Sequence, residues 1–491
     1  MKKFVLAVLV GLTVFATASI AAAEVTVGGE MEMRYDLWGN LDLNKQFNQD
    51  EVGSQVQNFF ADRILLNVDA KITEGLEAFV ELDSSGFSVF GTPISFPADE
   101  RVAGVNRLNF TGIDSPVNYQ GEKLAVRQAW INFMVPGIPV GMKVGHQPLA
   151  LGHGISLDTH RMGTDAILLY SKPIEQLLIA GVYAKVVENS DNEPGLRDIG
   201  GLGGSIFATG NEHHDADVYA ALANFTFMPG NTVGMNYLYV HDAATFGAGA
   251  VGHLHNIGIT ADGVIGPMNY KAEVDYQNIN QDGHGGIPST ELQSGINNSW
   301  AAMLGVGAKL AMVNVGLEAA YGTGTTANKT SGSRTYLSPY GETSYNYAFL
   351  YNDKIGQGPL GTGGGHGLGD GTGGFGLANT GYLKLTAGLN PTDKLGVDMA
   401  VLYLRASASS FNGQSRDLGW EVDAHAGYKI YDNLNLDITG GVFVPGAWYA
   451  FNGDASPTEF GPSAVKDETD PNSSFKRNLA YGLETKLTVK F

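Results

Sequence analysis

The sequence predicts an all-β protein, a single transmembrane antiparallel β-barrel of about eighteen strands. Three observations predict it. Segments that alternate apolar and polar residues with period two recur along the whole chain, and a strand sends successive side chains to opposite faces. The connections between these segments alternate between short and long. After the first two dozen residues, no stretch reaches the ~18 consecutive apolar residues of a transmembrane helix. Average hydropathy near neutral does not argue against a membrane, because an alternating barrel averages out.

Residues 1–23 read as a secretory signal peptide. Lys2 and Lys3 give a positive start, Phe4 to Phe15 an apolar run, and Ala21-Ala22-Ala23 a small-residue cleavage site before Glu24. Residues 24–491 are then the barrel domain.

The first segment puts Val25, Val27, Met31, Met33, Tyr35 and Leu37 on one face and Glu30, Glu32, Arg34 and Asp36 on the other. In 76–83 the polar face carries Glu77, Glu81 and Asp83. In 268–276, Met268, Tyr270, Ala272, Val274 and Tyr276 oppose Asn269, Lys271, Glu273 and Asp275. In 418–429, Leu418, Trp420, Val422, Ala424, Ala426 and Tyr428 oppose Glu421, Asp423, His425 and Lys429. The last segment sets Tyr481, Leu483, Thr485, Leu487, Val489 and Phe491 against Gly482, Glu484, Lys486, Thr488 and Lys490.

Eight tight turns, rich in Gly, Pro, Asn and Asp as turn geometry requires, fall at 73–75, 136–139, 172–176, 229–231, 262–267, 311–312, 390–394 and 431–433. Nine longer connections lie at 38–58, 84–122, 148–164, 188–215, 242–252, 280–297, 323–378, 405–417 and 446–477. Together they join eighteen strands; sixteen fit if 124–135 and 165–171 are not strands. An even count brings both ends to one side, the pattern of short periplasmic turns and long external loops. Trp38, Trp130, Tyr170, Tyr239, Trp300, Tyr321, Tyr431 and Trp448 stand at strand ends, where interfacial aromatic girdles are expected.

Composition narrows the function classes. Lys+Arg is 30 and Asp+Glu 50, so without Lys2 and Lys3 the balance is 28 against 50, net −22. Nucleic acid is excluded as a partner, because phosphate binding needs clustered Lys and Arg. With no cysteine, disulfides, thiolate metal sites and covalent c-type haem are excluded too.

"YGLETKLTVKF" at 481–491, with Tyr481 and the final Phe491, resembles the closing strand of Gram-negative outer-membrane porins. "MKVGHQPLALGHG" at 142–154 is similar to the porin stretch that runs into the third external loop, with His146 where that stretch usually carries Arg. The resemblance covers the mature chain. It implies that the apolar face meets lipid and lipopolysaccharide of the cell outer membrane, and that the last strand closes on the first. It also implies passive diffusion of small hydrophilic solutes, and a homotrimer. The third loop, 148–164, would fold inward as a constriction bearing His153, Asp158, His160 and Arg161.

The candidate pore-lining residues are Glu30, Glu32, Arg34, Asp36, Glu77, Glu81, Lys271, Glu273, Asp275, Glu421 and Asp423. In the four cleanest strands acids outnumber bases, and such a wall concentrates cations within a Debye length of ~8 Å. Arg63, Arg127 and Lys143 could form an opposing basic face. A hydrogen-bonded, plugged barrel is the plainer alternative for the same acids. A sheath for an electron-transfer cytochrome is another reading, and a barrel enzyme a third. No G-x-S-x-G elbow supports an enzyme, and no catalytic residue, cofactor or metal ligand is assigned. His213-His214 with Asp215 and Asp217 are read as solvated surface, and the glycine-rich 361–376 as a loop without phosphate-binding Lys-Ser/Thr.

Overall fold

The computed structural model describes residues 24–41, 43, 56–84, 88–89, 125–160, 163–187, 216–242, 251–282, 296–326, 334–337, 347–352, 354–355, 357–358, 361–362, 376–409, 415–450 and 478–491. The predicted signal peptide, Arg161, His213, His214, Asp215 and most of the glycine-rich stretch lie outside these residues.

Eighteen long strands form the wall. The first six are β1 (Glu24–Gly39), β2 (Gln57–Thr73), β3 (Leu76–Asp83), β4 (Ala125–Met134), β5 (Val140–Gln147) and β6 (Thr164–Ile174). Next come β7 (Leu177–Val187), β8 (Ala216–Met228), β9 (Asn231–Asp242), β10 (Val251–Ile265), β11 (Met268–Asp282) and β12 (Ile296–Leu310). The last six are β13 (Val313–Gly322), β14 (Thr380–Thr392), β15 (Leu395–Ala406), β16 (Asp417–Tyr431), β17 (Leu434–Pro445) and β18 (Ala480–Lys490). Each pairs antiparallel with its neighbour in sequence. β18 then pairs with β1, from Glu30↔Lys490 to Gly39↔Tyr481, so no edge is left open. The count is eighteen, with strands at Ala125–Met134 and Thr164–Ile174. Eight connections at one end have two to five residues, and the long ones gather at the other end.

The alternation sets the two faces. Val27, Met33, Met235, Ile259, Leu385 and Val422 are exposed on the outside. Val274 is 54% exposed while its neighbours Glu273 and Asp275 are at 1% and 0% on the inside. Near the long-loop end, outward aromatic rings pair across strands: Tyr183 with Tyr219 at 5.2 Å, Trp300 with Tyr321 at 5.0 Å and Tyr403 with Trp420 at 4.8 Å.

Two expectations are corrected. Leu418 is buried inside rather than sharing the outer face of Trp420. Gly419 takes φ +124, a region L side chains avoid, and the register against β15 slips between Leu404 and Arg405. One such irregularity reverses the alternation beyond it. Of the proposed girdle residues, Trp38, Trp130, Tyr170 and Trp448 also turn inward. Trp38 and Trp448 are buried in an interior cluster. Trp130 stacks on Phe79 at 5.2 Å and its Nε1 donates to Gln128 Oε1 at 3.1 Å. The Tyr170 hydroxyl donates to Asn132 Oδ1 at 2.8 Å. Trp38 continues the inner parity of Arg34 and Asp36, and Trp130 that of Gln128.

Candidate functional site

The interior wall from β18 through β1 to β5 is charged and internally paired. Arg34 Nε lies 2.6 Å from Asp36 Oδ2, and its Nη1 3.5 Å from Glu484. Arg63 forks onto the two carboxylate oxygens of Asp83, and Arg127 Nη1 donates to Glu81 Oε1 at 2.8 Å. Arg63 and Arg127 both point inward, each tied to an acid of β3. Lys143 Nζ sits 3.8 Å above the Trp130 ring. Glu30 meets Lys490 at 3.4 Å. Glu32 is buried beside this network, and Glu77 is half-buried on the same face. On the far side, Lys271 pairs with Glu318 at 2.7 Å. His146 faces outward and pairs with Asp165 at 2.9 Å.

The segment after β5 turns into the barrel. Leu149, Leu151 and Leu157 pack against Ala166, Ala184, Val218, Ala220, Leu238, Val240, Leu254 and Ile279, an apolar stripe on the inner faces of β6 to β11. Burying these leucines against an apolar stretch of the inner wall is what holds the loop down. Ala150–Leu151 pairs with Leu157–Asp158 to make a small hairpin. At its tip the His153 amide donates to Glu273 Oε2 at 2.6 Å, six strands round the wall from β5. His153 Nε2 stands 3.4 Å from Asp262. Gly152 has φ +56, and a Cβ there would overlap Glu273 Oε1.

Asp158 does not cross to the opposite wall. Its Oδ1 accepts from the His160 amide at 2.9 Å and lies 2.7 Å from His160 Nδ1, fixing its own loop. The His160 carbonyl accepts from Arg127 Nη2 at 2.9 Å, tying the loop back to β4.

A second inward segment comes from the connection between β13 and β14. Gln277 clamps Leu337 twice, donating to its carbonyl at 2.7 Å and accepting from its amide at 3.0 Å. The buried Tyr336 hydroxyl donates to Asn256 Oδ1 at 3.2 Å. Further on, Glu421, 0% exposed, accepts from the amides of Leu350 at 2.6 Å and Tyr351 at 2.8 Å. Asn352 Oδ1 accepts from the Ala348 amide at 2.8 Å, and Lys384 Nζ donates to the Tyr347 carbonyl at 2.8 Å. Tyr347, Leu350 and Tyr351 pack with Trp38, Leu402, Leu404, Phe443 and Tyr449.

The two inward segments interlock. Ile155 of the first is buried in the cluster built around the second, and Leu337 of the second packs against the cluster of the first. Glu273, Asp275 and Glu421 therefore lie beneath inward loops, where two of them serve as acceptors for loop amides, rather than facing open water. Asp423 stands next along the inner face of β16. Among the described residues no group of three His, Asp or Glu is placed to hold a metal ion.

Sequence reasoning missed the second inward segment and the apolar inner stripe. One signal for the stripe was present. Val218, Ala220 and Leu222 share the inner parity of β8, and a wall facing only water does not favour them.

No protein-family model matches the chain, and no curated protein sequence matches it. Solved structures do share its fold. OpdQ of Pseudomonas aeruginosa matches with a TM-score of 0.52 at 11% identity, over 96% of this chain and 98% of that one. OccAB2 of Acinetobacter baumannii gives 0.51 at 12%, over 95% and 98%. A BenF-like porin of Pseudomonas fluorescens Pf-5 gives 0.50 at 12%, over 95% and 99%. The chain has the fold of these proteins: a closed antiparallel barrel of eighteen strands.

Proposed function

We propose that this chain is an outer-membrane porin that passes small hydrophilic solutes passively, through a lumen narrowed by two inward loops. The observation that carries the reading is the His153 amide held by Glu273 at 2.6 Å, which puts the loop after β5 across the interior of a closed barrel. An apolar outer face with cross-strand aromatic pairs near one end supports a lipid setting. The fold shared with a barrel described as a porin supports the channel reading.

Cation preference rests on the excess of acids over bases in the chain and on the inner wall, where Arg34, Arg63 and Arg127 are each neutralised by a carboxylate. The constriction is formed by the loop carrying Asp158 and His160, which is tied to β4 at His160 and to β11 at its tip. Export through the signal at 1–23 and a trimeric assembly complete the proposal. Interior space filled by the chain's own Ile155, Tyr336 and Leu350 weighs against a sheath for a partner protein.

The test is the reversal potential of single channels of the refolded mature chain under a tenfold KCl gradient. A potential on the K+ side supports cation preference; one on the Cl− side overturns it and leaves the porin reading standing. Absence of any channel from a folded barrel would overturn the porin reading itself.

A further inference from the structure

His241 and His253 stand directly opposite each other on β9 and β10, in a register that runs without interruption from Thr232↔Asp262 to Asp242↔Gly252. Both point outward. They share the parity of Met235 and Tyr237 on β9, and of Ile257 and Ile259 on β10, all exposed on the outer surface. Both lie near the long-loop end, above this apolar band.

Their ring centroids are 5.3 Å apart, with planes inclined at 59°. Two imidazoles on one tetrahedral divalent ion, with metal–nitrogen bonds of about 2.0–2.1 Å, place their ring centres about 5.2 Å apart. The hydroxyl of Tyr239 lies 2.8 Å from His253 Nδ1, with the two rings stacked at an inclination of 7°. A polar partner on one ring nitrogen is the arrangement that orients the other toward a metal. Asp217 faces His241 across β8 and β9 and is engaged by the Tyr183 hydroxyl at 2.9 Å. Lys185 Nζ, 3.8 Å from the same carboxylate, offsets its charge, so the two imidazoles carry the site.

We propose that His241 and His253 form a two-imidazole site for a borderline divalent cation of the Zn2+ or Cu2+ class on the outer rim of the barrel. Tyr239 acts as a positioning residue. The wall supplies two nitrogen ligands, and the remaining positions are left to water or to a donor from outside the chain. Nitrogen donors of this kind select Zn2+, Cu2+ or Ni2+ over the hard cations Ca2+ and Mg2+. Only a neutral imidazole offers its nitrogen lone pair to a metal, so binding competes with protons.

The experiment is a Cu2+ titration of the refolded mature chain in detergent, read by electron paramagnetic resonance and by calorimetry. The expected result is one tight equivalent with two-nitrogen coupling. It should be lost in His241→Ala and in His253→Ala, and retained in His255→Ala and in a His213→Ala/His214→Ala variant. Tyr239→Phe should keep the two-nitrogen signature while weakening binding by roughly 10-fold. Heat-modifiable gel mobility confirms that each variant is folded, so a lost signal reports the site. Three outcomes overturn the proposal: no tight equivalent in the parent, an equivalent unchanged in both single variants, or an equivalent abolished only by removing His213 and His214.

Discussion

The Glu273 carboxylate and the His153 amide meet at 2.6 Å across the barrel interior, and this contact joins a loop leaving β5 to the wall at β11. Glu421 repeats the device on the other side with two amides of the second loop. In both cases an acid that the alternation places on the inner face receives main-chain N–H groups that would otherwise be buried without a partner.

Glu273→Ala should free the first loop while leaving the wall intact. Leaving a buried amide without its acceptor costs about 1–3 kcal/mol, so the held position should lose roughly tenfold in population. Glu273→Gln keeps an acceptor oxygen and should lie between Ala and the parent. Open-channel current noise measures this directly, with folding checked separately by heat-modifiable mobility.

Gly152→Ala should act on the same loop by a different route. The residue has φ +56, and an added Cβ would overlap Glu273 Oε1. Left-handed backbone costs a non-glycine residue roughly 1–2 kcal/mol before any overlap is counted. Conductance should change with no loss of barrel yield. An unchanged current would show that the tip of this loop does not lie in the conducting path.

Val274→Arg and Glu273→Gln probe the two faces one residue apart. Val274 is 54% exposed on the outside, so the substitution should destabilise the membrane-inserted barrel by about 2–4 kcal/mol. Urea titration in lipid vesicles measures it. Equal folding defects in the two variants would mean that inside and outside are reversed on β11.

Alkaline pH should loosen the interior. Burial pushes the phenols of Tyr336, Tyr351 and Tyr449 above the ordinary tyrosine value. A group held neutral by folding contributes stability that is fully present below the unfolded value of about 10 and is lost as pH rises through the higher folded values. Ultraviolet titration should therefore show a fraction of tyrosines ionising late, together with a rise in current fluctuations. Ionisation of every tyrosine near pH 10 in the folded barrel would contradict the buried placement.

Much of the wall was legible because a strand's period is two and lipid demands one apolar face. The turns at 229–231 and 311–312, the closing strand and the inner placement of Glu273 and Glu421 all followed from that. Leu418 was not legible, since a single irregularity at Gly419 reverses the parity on which the prediction stood. Trp38 and Trp130 were legible and misassigned: their position at strand ends suggested a girdle, while their parity already put them inside. The interior loops were only half legible. Porin resemblance pointed to the segment after β5, whereas nothing local in 334–355 reveals that Gln277 and Glu421 hold it from strands far away in sequence.

The measurement that tests the central claim most directly is single-channel conductance of the refolded mature chain beside a Glu273→Ala/Glu421→Ala variant. Two loops held across the lumen predict small unitary steps in the parent and a several-fold larger, noisier current in the variant. Identical conductance from two equally folded barrels would contradict the claim that these two carboxylates hold the constriction.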